Sequence, residues 1–200
     1  MHNAILIDTS SIDNKMEYYQ KDFELGWLWI SFHNEQVRLL PLLDKTKSNE
    51  SNRTYVRSFI SMVEGITYRT RQILLERYLE KKIDLTPEQI IVLSEISVEL
   101  KDNGSIKKRQ KFYDLKSMML FTYKTYCRLY NKLNTYEKYL SDSKFNDFNE
   151  SIKMRNRITH PKTGKDIFIN GKDIQTVMSA GDWFHTFTFE IFMGDLIYEE

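Results

Sequence analysis

The chain has little of what disulfide scaffolds, linkers and extended polymers are built from: one cysteine, three prolines and seven glycines in 200 residues. A lone thiol, Cys127, excludes an internal disulfide, and no Cys/His cluster accompanies it. That predicts a reducing compartment, with no metal and no cofactor. Cys127 lies inside a helical pattern, where a small core residue is the expected role and a catalytic thiol the alternative. Charge of one sign is also missing. Twenty-nine basic residues face 28 acidic ones, a formal net charge of +1. This excludes a general nucleic-acid coat and confines any RNA contact to a local patch. Long apolar runs are absent as well. The most apolar helical stretch, around Gly26–Phe32, falls short of the ~20 residues a membrane span needs. Met1–Ile12 has no basic start and an apolar run of only Ala4–Ile7, too short for a signal peptide. The expectation is a soluble cytoplasmic protein with no membrane partner.

What is present is 41% hydrophobic and 14% aromatic residue content, enough at this length for one good core. Residues 1–13 read as a flexible arm and 14–200 as a single helical domain. A long helix is predicted from about Lys15 to Leu43, with Met16, Tyr19, Phe23, Trp27, Ile30, Val37 and Leu40 near one face. Trp29 and Phe32 widen its apolar surface, which predicts burial on two sides or against a partner subunit. Polar Lys45–Asn52 reads as a loop. A second long helix, about Arg53–Lys82, carries Val56, Phe59, Val63, Ile66, Ile73 and Leu74 in register. Gly65 at its centre costs about 1 kcal/mol relative to Ala, so it marks a close helix approach. Glu64 beside it is either an ordinary surface residue, the favoured reading, or a partner for a basic site residue.

Thr86-Pro87-Glu88-Gln89 is a strong helix start, and that helix is expected to reach Leu100, with Asn103-Gly104 as a left-handed stop. Lys107, Lys108, Arg109 and Lys111 then read as a solvated loop or helix start, with phosphate contact as the alternative. A fourth helix, about Phe112–Tyr139, shows the stripe Leu115, Met118, Thr122, Tyr126, Leu129, Leu133. Its tyrosines read as core edge rather than as base-stacking platforms. Ile167–Ile169 before Asn170-Gly171 suggests a short strand or hairpin, and a last helix runs from about Lys172 to Leu196. The fold class is all-α, an antiparallel bundle of five or six helices.

One stretch breaks the pattern. Phe145, Phe148 and Ile152 recur at helical spacing, and the next step lands on Arg155 or Asn156, so a guanidinium stands where an apolar residue is due. Pro161 disfavours helical geometry at His160 and ends the helix there. Lys153, Arg155, Arg157, Lys162 and Lys165 make this a locally basic edge, with Asp166 as the one acid among them. A plainer account has Arg155 capping carbonyls or pairing with Glu64 or Asp147, and His160 as a satisfied helix-end residue.

Arg155-Asn156-x-x-x-His160 resembles the Arg-x4–6-His motif of the HEPN superfamily, small helical domains that include metal-independent endoribonucleases of toxin–antitoxin and antiviral defence systems. The resemblance implies RNA as the partner, with no DNA. It also implies a homodimer in which two motifs face each other across one cleft. Arg155, Asn156 and His160 are then the catalytic residues, and Lys153, Arg157, Lys162 and Lys165 the RNA-binding ones. In such a site His160 transfers protons, Arg155 binds a phosphate oxygen, and Asn156, one turn before His160, orients the ring or the phosphate. HEPN toxins paired with a nucleotidyltransferase carry a Tyr two residues after the His. Here Lys162 stands there, which points to a stand-alone enzyme or another antitoxin or regulatory protein. Some HEPN domains are non-catalytic modules binding RNA, a nucleotide or a protein partner, and that is the alternative function.

Overall fold

The computed structural model describes the backbone of residues 13–46 and 48–193 and the side chains of residues 25–41, 43 and 48–192. Residues 1–12, most of the expected arm, lie outside the described residues, as do the last three residues of the expected final helix. The described chain is all-α apart from one small hairpin: α1 Asp13–Thr46, α2 Asn49–Leu79, α3 Pro87–Leu93, β1 Ile96–Leu100, β2 Ile106–Gln110, α4 Leu115–Leu129, α5 Leu133–Leu140, α6 Lys144–Thr159 and α7 Gly171–Met193.

The second helix is the axis of the core. Tyr55, Val56, Phe59, Ile60, Met62, Val63, Ile66, Ile73 and Leu74 are all buried, and α1, α4, α6 and α7 pack around them. The expected loop of residues 45–52 is far shorter. Ser48 accepts a hydrogen bond from the Ser51 N–H and so caps α2, which starts at Asn49. On α1 the buried face is Leu25 and Gln36, with Leu28, Trp29 and Phe32 packed behind them, whereas Trp27, Ile30 and Val37 are exposed. Of the face expected from spacing, Leu40 packs against the core, these three do not, and the side chains of Met16, Tyr19 and Phe23 lie outside the described residues. Two apolar stripes lie on this helix: Phe32 meets α2, while Trp29 turns to α7, donating to the Thr188 hydroxyl at 3.0 Å. Gly65 is the reason Phe32 fits: a Cβ there would lie 2.9 Å from the Phe32 ring.

Thr86 forms the expected capping box with Gln89, its hydroxyl accepting from the Gln89 N–H while the Gln89 side chain accepts from the Thr86 N–H. The helix stops at Leu93, however, and does not run to Leu100. Glu95 takes a left-handed φ of 50°, and Ile96–Leu100 forms an antiparallel ladder with Ile106–Gln110, Leu100 opposite Ile106 and Ile96 opposite Gln110. The period-two alternation of Ile96, Val98 and Leu100 marks this strand. Asn103-Gly104 serves as the turn of the hairpin, with Gly104 at φ 77°.

The expected fourth helix is two. Asn131 at φ 56° ends α4, the Lys132 N–H reaches back to the Cys127 carbonyl, and α5 restarts at Leu133. Residues 167–169 are not a strand. Their backbone is held by α2 side chains: the Asn49 amide donates to the Ile167 carbonyl and accepts from the Ile169 N–H, and Asn52 donates to the Ile169 carbonyl. These asparagines satisfy groups that a strand partner otherwise would. Beneath them an aromatic core of Phe59, Phe148, Trp183, Phe184 and Phe187 joins α2, α6 and α7. Trp183 Nε1 donates to the Tyr139 carbonyl at 2.9 Å, which gives this buried indole its partner.

Candidate functional site

The motif helix is anchored by Phe148, Ser151 and Ile158, all buried against its neighbours. Arg155 stands on this same stripe, seven residues after Phe148 and four after Ser151, and is half-buried. Ile152 and Asn156 flank that stripe, and with Arg155 they form part of one wall of a groove of about 660 Å³. Asn146, Asn149, Glu150 and Lys153 complete the wall, at three- and four-residue spacing. Ile60 and Glu64 of α2 form the floor, and Tyr113, Asp114, Leu115 and Lys116 at the start of α4 form the far side.

Arg155 is neither buried alone nor free. Its Nη2 donates to Glu64 Oε1 at 2.9 Å, and its Nη1 to Asn156 Oδ1 at 3.2 Å. Both partners of the ion pair keep part of their surface in solvent, the side chains being 32% and 41% exposed. Glu64 is thus a partner of the motif arginine and not an ordinary surface residue. Asp147 is engaged elsewhere, accepting from Ser179 at 2.6 Å. One carboxamide and one carboxylate consequently orient the guanidinium, whose fork retains further donors for an anion. Asn149 adds an unusual group to the wall. Its amide nitrogen donates to the Phe145 carbonyl, while its Oδ1 is buried without a partner.

His160 stands at the end of α6 as its C-cap, with φ −124° and its N–H donated to the Asn156 carbonyl. The residue is exposed and does not line the groove. Arg57 of α2, which spacing did not single out, donates to the Ile158 carbonyl at 3.3 Å and helps close the same helix end. The other basic residues divide. Lys153 reaches the groove but pairs with Glu150 at 2.6 Å. Arg157 points to the α7 side, where Asp173 lies 3.6 Å away. Lys162 and Lys165 are exposed on the loop after Pro161, with no ion-pair partner among the described residues. Asp166 does not neutralise them. Its Oδ2 accepts from the N–H groups of Thr163 and Lys162 and from the Thr163 hydroxyl, and these bonds hold its carboxyl below the usual range.

Spacing alone could not find the opposite wall of the groove. Tyr113 and Lys116 are some forty residues from Arg155 in sequence, and only the packing of α2 against both α4 and α6 brings them together. The remaining candidates fall away. Cys127 is fully buried and its thiol is pushed up to about 12 by that burial, so it carries no nucleophilic thiolate near neutrality. Among the described residues no three His, Cys, Asp or Glu side chains converge as metal ligands. No helix among them is long and apolar enough to cross a membrane. Comparisons with family models, curated proteins and solved structures find no match to this chain.

Proposed function

We propose that this protein is a metal-independent endoribonuclease whose substrate lies against the groove beside α6. The observation that supports the reading is the Glu64–Arg155–Asn156 constellation: an arginine pre-oriented by a carboxylate and an amide, part exposed, at the edge of an open groove. Preorganised charge of this kind stabilises the negative charge that develops on a phosphate oxygen during transfer. The RNA supplies its own nucleophile. The 2′-oxygen bonds to phosphorus and the bond from phosphorus to the 5′-oxygen breaks. A base takes the 2′-hydroxyl proton and an acid returns one to the departing 5′-oxygen. His160 suits either proton transfer, since one imidazole nitrogen can take up a proton and the other can give one.

A single His160 outside the groove leaves the second proton transfer without a group. The reading therefore includes a second copy of the chain, arranged so that both motifs face one cleft. Antiviral or toxin–antitoxin defence, with a regulatory partner, belongs to the same reading. The position of His160 also favours a second reading, in which the groove binds RNA without cleaving it. The test is incubation of RNA with the purified protein in EDTA. Cleavage leaving 2′,3′-cyclic phosphate ends is expected, and His160→Ala should slow it ~10²–10⁴-fold. Cleavage that EDTA abolishes, or that His160→Ala leaves intact, overturns the nuclease. No cleavage with binding that Arg155→Ala weakens assigns the non-catalytic module.

A further inference from the structure

The hairpin between α3 and α4 stands apart from the core and leads by chain continuity onto the rim of the groove, through Lys111, Phe112 and Tyr113. Every residue of β2 is exposed. In a strand, alternate side chains share a face, so Lys107 and Arg109 lie on one side of the ribbon, and Lys111, its N–H donated to the Glu95 carbonyl, follows next in that alternation just past the end of β2. Successive cations on that side are separated by about 6.7 Å, two strand steps. Lys107 and Lys111 stand two such intervals apart, about twice the distance between neighbouring phosphates on an extended single strand.

The acids that could cancel these charges are engaged or turned away. Glu99, on the same face, pairs with Arg109 at 2.8 Å, and Glu95, level with Lys111, pairs with Arg71 at 2.7 Å. Lys107 and Lys111 are left with no ion-pair partner among the described residues. The ammonium of Lys111 lies over the Tyr113 ring, 4.9 Å from its centre, and Tyr113 is itself a groove residue. The groove beyond it is lined by Lys116, Lys153 and Arg155 together with Asp114, Glu150 and Glu64, so the unpaired positive charge lies on the ribbon and at its junction with the groove. Phe112, 77% exposed between the last cation and the groove, offers an aromatic face at the same junction.

We propose that this face of β2 is a track for single-stranded RNA, which Lys107 and Lys111 hold by its phosphates and deliver past Phe112 and Tyr113 into the groove. The proposal rests on RNA being the groove's ligand and adds its form and path. Two unpaired lysines on one side of an exposed ribbon, followed by aromatics, fit phosphate-tracking with base stacking. A duplex presents its phosphates along two curved backbones, and one short ribbon matches neither over its length.

The test uses a fluorescent 2′-O-methyl RNA oligonucleotide, which lacks the nucleophile and stays intact, titrated at several salt concentrations. Lys107→Ala/Lys111→Ala should weaken binding and lower the slope of log affinity against log salt by about 1.4, about 0.7 for each lost phosphate contact. Lys107→Glu alone should weaken it further than Lys107→Ala. Both positions are exposed, so far-UV circular dichroism should be unchanged. Unaltered affinity and slope overturn the track, as does tighter binding of the corresponding duplex or no binding of either form. Cleavage that depends on His160 in a protein whose hairpin variants bind normally removes the track and leaves the nuclease. Weakened binding by those variants in a protein that cuts nothing does the reverse.

Discussion

Arg155 shows what a single residue's spacing reveals and conceals. Its place in the helical period of Phe145, Phe148 and Ile152 marked it as anomalous, and charge in an apolar stripe requires a partner. Which partner it takes was open, because Glu64 is far away in sequence and only the crossing of α2 and α6 brings the two within 2.9 Å. His185 makes the same point for a residue with no motif. It packs edge-on against His33, with ring centres 4.7 Å apart, and against Trp29 at 5.1 Å. The Nδ1 atoms of both histidines are buried without partners. Burial, with the neighbouring His33, lowers the His185 pKa from 6.5 to about 4. In the unfolded chain His185 returns to about 6.5, so between these values the unfolded state binds more protons. The stability this neutral imidazole contributes is fully present above pH about 6.5 and is lost as the pH falls toward about 4. Urea titrations at pH about 7.5 and about 5 should show the wild type losing about 2 kcal/mol more than His185→Gln across that interval. Equal losses would remove the assignment.

At the scale of elements, Gly65 is the contact on which the pairing of α1 with α2 turns. A glycine inside a helix ordinarily gains about 1 kcal/mol on replacement by Ala. Here the new Cβ would meet Phe32 Cε2 at 2.9 Å and Cζ at 3.1 Å, so the ring must shift. Overpacking of this kind costs about 1–3 kcal/mol, and Gly65→Ala should therefore destabilise the protein by about 1 kcal/mol net. In a Phe32→Leu background the same change should become stabilising. Stabilisation by Gly65→Ala in the wild type, read by thermal melting, would show that Phe32 moves without cost. The glycine was legible as a close approach, but its partner was not, because the face of α1 that turns inward is chosen by α2. The elements that sequence periodicity misjudged are short ones. After Leu93 the alternation of Ile96, Val98 and Leu100 spans only five residues, and the chain leaves the helix at the left-handed Glu95, held by buried Arg71.

For the whole molecule, the exposed apolar residues of α1, Ile30 and Val37, and Phe189 of α7 give a second copy of the chain something to cover. The composite cleft proposed for catalysis requires that copy. Light scattering at low micromolar concentration should report a mass near twice 24.0 kDa. Activity per chain should fall on dilution together with the dimer fraction. A monomer that retains full activity, or a dimer with the motifs on opposite outer faces, would disprove the composite site.

By itself the sequence determined the all-α class, the two long helices, the capped start at Thr86 and the placing of Arg155, Asn156 and His160 at one helix end. Each follows from local rules: a repeat near 3.6 residues, a side chain that bonds its own backbone, a proline that stops a helix. Only the tertiary structure decided that Glu64 grips Arg155, that Asn49 and Asn52 hold residues 167–169, and that the start of α4 faces the motif across a groove. These are contacts between segments distant in the chain, set by which of several apolar stripes each helix buries, and no local period carries that choice.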